Sequence, residues 1–243
     1  MAPSAEILSS AKPDPQFAEL LKNHGPSPLP VNVDIQTLRS TTNALKAKSR
    51  ATSGPLASLS ERDIEIPVRD GSEILAYVYA PSNVEEASSL PILLFFHGGG
   101  FCIGSRHDDW ESNRTIVAKV GIIVVSIEYR LAPEHLFPQA IHDRYDALHW
   151  IANNPTEVHR FVSPSVGLII SGTSAGGSIA NAVVYLNRDE DSPVKISGQF
   201  LSVAPLLPPQ AVPEHYKEDY VSHDQNKDVT VPPLQLAELF IGE

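Results

Sequence analysis

A single cysteine, Cys102, stands among the 243 residues, so no intramolecular disulfide can form and the chain suits a reducing compartment. Positive charge is also scarce. Lysine and arginine number 18 against 29 aspartates and glutamates, a formal net charge of −11. A balance of that sign repels phosphate backbones and anionic headgroups, which excludes nucleic acid and membrane surfaces as partners. Long apolar runs are lacking too: Pro91 to Phe96 and Gly121 to Ile127 are too short to span a bilayer. The first 16 residues, MAPSAEILSSAKPDPQ, have neither a basic start nor an apolar stretch, so no secretory signal is read and a cytoplasmic location is expected. There is no internal repeat and no cysteine cluster of metal-ligand spacing, so no metal is expected.

Two regions differ in texture. Residues 1–55 carry proline and serine punctuation around two helical stretches, Pro15 to Asn23 and Asp34 to Lys48. The second places Ile35, Leu38 and Leu45 at helical spacing. This region is read as an N-terminal helical cap. Residues 56–243 are read as the core, with 205–243 a lid-like insertion bracketed by prolines. In the core, Asp63 to Val68 alternates apolar and polar, Arg69-Asp70-Gly71 turns the chain, and Glu73 to Tyr79 returns. Pro91 to Phe96, Gly121 to Ile127 and Val166 to Ile170 are continuous apolar runs, the mark of strands buried on both faces. Ile196 to Val203 is a weaker fourth. Helical segments Trp110 to Val120, Gln139 to Ala152 and Ala175 to Leu186 separate them. The alternation predicts an α/β fold: a mostly parallel sheet, entered by a hairpin and covered by helices on both faces.

Two motifs carry chemistry. His97-Gly98-Gly99-Gly100 follows the first buried strand, and consecutive glycines let backbone N–H groups converge on one point. Donors held in that way stabilise a negative oxygen, each by about 2.7–4 kcal/mol in a transition state. Gly172-Thr173-Ser174-Ala175-Gly176 lies between a buried strand and a helix, the setting of a nucleophile elbow. There Ser174 is the nucleophile. The N–H of Ala175, at the helix N-terminus, is a further oxyanion donor beside Gly98, Gly99 and Gly100. Gly172 and Gly176 relieve crowding at the turn, and His97 is read as a residue that holds the glycine loop by hydrogen bonding.

With HGGGF, IEYRLAPEHLFPQAIHD (Ile127 to Asp143) and GTSAGG in place, the chain resembles the hormone-sensitive-lipase-type (GDXG) α/β-hydrolase esterases. The resemblance covers Glu61 to about Pro208. It implies the α/β-hydrolase fold, hydrolysis of carboxylic esters of small or medium apolar substrates, no cofactor, and a small-molecule ester as partner. The threonine of the elbow, where the family usually has aspartate, looks most like filamentous-fungal members that act on secondary-metabolite esters. Arg130 and Glu134 are expected to form an ion pair that Asp143 could join. His107, Asp108 and Asp109 are read as a helix N-terminus rather than a metal cluster, and Cys102 as a packed side chain.

The resemblance implies a triad in the order serine, acid, histidine, with the last two beyond Glu243. After Ser174 the only histidines are His215 and His223, read as loop residues of the lid-like segment. Without its histidine a comparable triad loses about 10⁶ in turnover. The chain is therefore read as C-terminally truncated, or as having a task other than ordinary turnover. The rival reading is a non-catalytic relative that binds a small molecule. The Ile196 to Val203 strand, interior in the family's sheet, becomes an edge here, so self-association through it is expected.

Overall fold

The computed structural model describes residues 14–24, 34–86 and 88–221. Two compact units divide the chain: Ile35–Leu206 is one, and the described parts of 1–34 and 207–243 form the other. The smaller unit holds helix α1 (Pro15–His24) and the 3₁₀ turns Pro209–Ala211 and Glu214–Tyr216. Asp14 starts α1 by accepting the Gln16 N–H at 2.8 Å. The segment read as a lid is described only to Val221, so His223 lies outside the described residues. His215 is exposed, with its ring 3.9 Å from that of Tyr216.

The larger unit runs α2 (Ile35–Ser53), β1 (Leu59–Pro67), β2 (Glu73–Pro81), β3 (Ile92–Phe96), α3 (Trp110–Val120), β4 (Ile123–Ile127), α4 (Gln139–Asn153), α5 (Pro155–Val158), β5 (Leu168–Thr173), α6 (Ala175–Asp189) and β6 (Gly198–Ser202). The six strands form one mixed sheet in the order β1-β2-β4-β3-β5-β6. β1, β2 and β4 pair antiparallel, and β4, β3, β5 and β6 pair parallel. This is the mostly parallel sheet, entered by an antiparallel hairpin, that the alternation of runs and helices predicts, and the α/β-hydrolase fold that the resemblance implies.

Period-two geometry explains why β3 is apolar throughout. Ile92, Leu94 and Phe96 face one layer with Leu148 and Ile151 of α4 and Ile179 and Val183 of α6. Leu93 and Phe95 face the other, with Val117 of α3 and Tyr79 of β2. Both faces are covered, so alternation with polar residues would bury unpaired polar groups. The hairpin turn forms where it is read: Gly71 takes a φ of 83° and its N–H donates to Val68 O at 2.9 Å. α2 differs from its pattern. Leu38 is its buried apolar residue, while Leu45 is 65% exposed. Ions hold this helix instead. Arg39 donates to Cys102 O and Ala132 O, both at 2.9 Å, and pairs with Glu134; Lys46 pairs with Asp108.

That pairing corrects one expectation. Glu134 belongs to Arg39 of α2 at 2.9 Å, and Arg130 does not reach it. Arg130 instead forks onto Asp143 of α4, with Nη2–Oδ1 at 2.5 Å, and reaches Asp70 of the β1–β2 turn. The cause is burial. Asp143 is fully buried and demands a cation, whereas Glu134 sits on a loop open to α2.

Candidate active site

Strand register brings the two glycine motifs together. β3 and β5 are parallel neighbours with Phe96 opposite Gly172, so both chains leave the sheet at the same end and at the same level. Residues 97–100 then turn beside residues 173–176. A Cβ built on Gly98 would stand 3.4 Å from Ser174 Cβ and 3.0 Å from Thr173 O. Any larger residue at 98 would therefore press on the serine. Gly99 takes φ 118°, and a Cβ there would meet Ile103 O at 2.1 Å. The carbonyl of Gly99 accepts the N–H of Cys102 and of Ile103, at 3.1 and 2.9 Å, closing the loop on itself. Among the described residues no acceptor takes the N–H of Gly98, Gly99 or Gly100.

Ser174 has φ 53° and ψ −123°, a left-handed backbone that non-glycine residues rarely adopt. Three contacts over-determine it. Its N–H donates to Ser202 O of β6 at 2.9 Å, its carbonyl accepts the Ser178 N–H at 3.1 Å, and Ser178 Oγ donates to Pro205 O at 2.8 Å. The turn also demands two bare backbones. A Cβ on Gly172 would meet Gly176 O at 2.3 Å, and one on Gly176 would meet Phe96 O at 2.1 Å. Ser174 is half-buried, so its hydroxyl is neither sealed in the core nor free on the surface. Ala175 opens α6, whose first-turn N–H groups have no helical partner and lie at the positive end of the helix.

Beneath the glycine loop lies a buried aromatic and cationic cluster. His97 is fully buried, stacks on Tyr129 with centroids 4.3 Å apart, and places Nδ1 2.8 Å from Gly98 O. Nδ1–H donates to that carbonyl. Burial, and then the positive charge of Arg144, hold the His97 pKa well below the ordinary value. The Arg144 guanidinium is also fully buried, 3.1 Å from the Tyr129 ring centroid and 4.7 Å from that of Phe96. Sequence reasoning missed Arg144 and the role of Ser202 O. Arg144 had a legible signal, since it lies three residues after Ile141 and four before Leu148, on the inward face of α4. Ser202 O had none, because it acts through its backbone.

Ser174 Oγ makes no hydrogen bond to an imidazole or carboxylate among the described residues. Nor do those residues hold a cluster of three or more potential metal ligands. Cys102 is buried, and burial raises its thiol pKa, which opposes a thiolate. His107-Asp108-Asp109 precedes α3 as read, although Asp109, at φ 55°, makes no side-chain cap. No helix among the described residues is long and apolar enough to cross a membrane.

Comparison with known proteins identifies the fold family. A model of the α/β hydrolase fold matches residues 93–237. An AB hydrolase superfamily protein of Schizosaccharomyces pombe is 30% identical over 230 residues, 94% of this chain and 67% of that protein. Versiconal hemiacetal acetate esterase of Aspergillus parasiticus is 32% identical over 187 residues, 76% of this chain and 54% of the enzyme. Among solved structures, vibralactone cyclase superposes with a TM-score of 0.83 at 28% identity, covering 94% of this chain and 68% of that one. A bacterial heroin esterase gives 0.76 at 31% identity, covering 94% and 67%. The chain thus spans about half to two thirds of the length of these relatives.

Proposed function

The chain belongs to the α/β-hydrolase fold family, in its hormone-sensitive-lipase-type branch, and from that membership we propose that it forms the nucleophile and oxyanion half of a carboxylic-ester hydrolase. The observation that carries the proposal is the approach of Gly98 to Ser174. Ser174 Oγ attacks the ester carbonyl carbon and loses its proton to a base. The carbonyl oxygen, now an anion, accepts N–H donation from the Gly98–Gly100 turn and from Ala175. Collapse of the tetrahedral intermediate breaks the bond to the alcohol oxygen, which leaves protonated, and water then releases the acid from the acyl-enzyme. No imidazole or carboxylate among the described residues is hydrogen-bonded to Ser174 Oγ to serve as that base.

Small or medium apolar esters are the substrate class this reading favours, with a setting in fungal secondary metabolism. Two relatives support it by their names, an esterase of versiconal hemiacetal acetate and a vibralactone cyclase. A second reading, a ligand-binding member without turnover, is favoured by one observation: Ser174 lacks a hydrogen-bonded base among the described residues.

A fluorophosphonate probe and p-nitrophenyl butyrate separate the two. The expected result is covalent labelling of the wild type, none of Ser174→Ala, and butyrate hydrolysis by the wild type above the variant's background. Ligand binding with no labelling supports the second reading. Equal labelling of both proteins removes Ser174 from the mechanism.

A further inference from the structure

A cavity of about 570 Å³ opens between α2, β1 and the loop before α3, and none of Ser174, Gly98, Gly99, Gly100 or Ala175 lines it. Its volume is in the range of small-molecule sites. Its walls are charged, and almost every charge is already satisfied. Glu61 accepts two hydrogen bonds from Arg114, at 2.5 and 2.8 Å. Glu128 is taken by Arg106, which also pairs with Asp63 at 2.6 Å, and Lys46 is taken by Asp108. Arg50 is the exception. Its guanidinium lies 4.6 Å over the Tyr77 ring, and no carboxylate pairs with it among the described residues.

Two more polar atoms on the wall lack partners. His107 Nδ1 and Asn43 Oδ1 are both buried and make no hydrogen bond. The His107 ring packs edge-on against the same Tyr77, with centroids 4.6 Å apart. Tyr77 thereby holds the guanidinium and the imidazole against one ring behind the wall. Rotating the Asn43 amide by half a turn presents N–H where Oδ1 now stands. Ala47, Ala51 and Pro55 supply apolar wall.

We propose that this cavity is a second ligand site, for a small monocarboxylate with an apolar body. Arg50 has no ion-pair partner among the described residues, so its guanidinium is open to one carboxylate. A guanidinium fork fits a carboxylate through two parallel hydrogen bonds. His107 and Asn43 offer further N–H donors to the same group, and the alanine and proline wall takes the hydrocarbon. A dianion such as phosphate is disfavoured because Glu61 and Glu128 also line the wall.

Calorimetric titration of the full chain with sodium benzoate at pH 7 tests this, with inorganic phosphate as the comparison. The wild type is expected to bind benzoate, and to bind phosphate more weakly. Arg50→Gln is expected to weaken benzoate binding by on the order of tenfold, the cost of one lost charge-assisted contact. Ala51→Phe fills the cavity without touching a charge, and its exposed position tolerates the larger side chain; it is expected to reduce binding similarly. Wild-type affinity in both variants, or a preference for phosphate, overturns the proposal. Thermal melts of both variants distinguish a lost site from a lost fold. The titration does not depend on Ser174 chemistry, so absence of phosphonate labelling would leave the benzoate result standing by itself.

Discussion

Ser174 shows how one residue trades stability for position. Its left-handed backbone costs on the order of 1–3 kcal/mol and persists because Ser202, Ser178 and Pro205 hold the turn. Ser174→Gly is therefore expected to raise the denaturant midpoint by an amount equivalent to about 1 kcal/mol, while phosphonate labelling disappears. A lower midpoint would show that the serine backbone is unstrained. Asp143 is the opposite case, a buried anion that its partner stabilises. Asp143→Ala leaves Arg130 without its fork and is expected to cost about 3 kcal/mol in chemical denaturation. The serine and its glycines were legible from residue order, since each sits just after a buried run. Arg130's partner was not, because sequence proximity favoured Glu134, four residues away, over Asp143, thirteen away.

At the level of elements, boundaries follow from pattern where burial is two-sided. β3 and β4 are five-residue runs of fully buried side chains, and α3 ends at Gly121 with φ 75°, the conformation a helix stop favours. β6 is different. It pairs with β5 on one side and with no strand on the other among the described residues, and Phe200 on it is 65% exposed. Such an edge is a template for pairing between chains. Light scattering with size-exclusion chromatography is expected to show concentration-dependent self-association that Phe200→Lys reduces. A monomer at all concentrations in the unmodified chain would refute it. α2 was read as a helix from its spacing, but that spacing misplaced its support. Leu45 faces solvent and Arg39 does the anchoring, through carbonyl acceptors on loops that no periodicity reveals.

Across the whole molecule, buried imidazoles govern the acid limb of stability. His97 is neutral because burial, Arg144 and Lys46 all oppose its proton. His107 is pushed down to about 4 by burial and by Arg50 and Arg106, against Asp63 and Glu61. Unfolded, both take a proton near 6.5. The unfolded state then binds more protons below that pH, so their contribution is complete above 6.5 and is lost as pH falls toward the folded values. Glu134, held down to about 2 by Arg39, loses its contribution only in a lower window, beneath its ordinary 4.5. Denaturant midpoints measured from pH 7 to pH 4 are expected to decline, with a shallower slope for His107→Gln. An unchanged slope would show that His107 is accessible to protons in the folded state.

Residue order alone was enough for the α/β class, the strand and helix succession, the hairpin, and the glycines that the turn at Ser174 requires. These depend on local rules: which side chains can be buried on both faces, and which turns need a missing Cβ. Three features needed the folded chain: the meeting of Gly98 with Ser174, the stacking of Arg144 and Tyr129 under His97, and the guanidinium of Arg50 set over Tyr77 at its cavity. Each depends on strand register or on contacts between segments distant in the chain, and such pairings are decided by packing free energy summed over the whole sheet rather than by any local pattern.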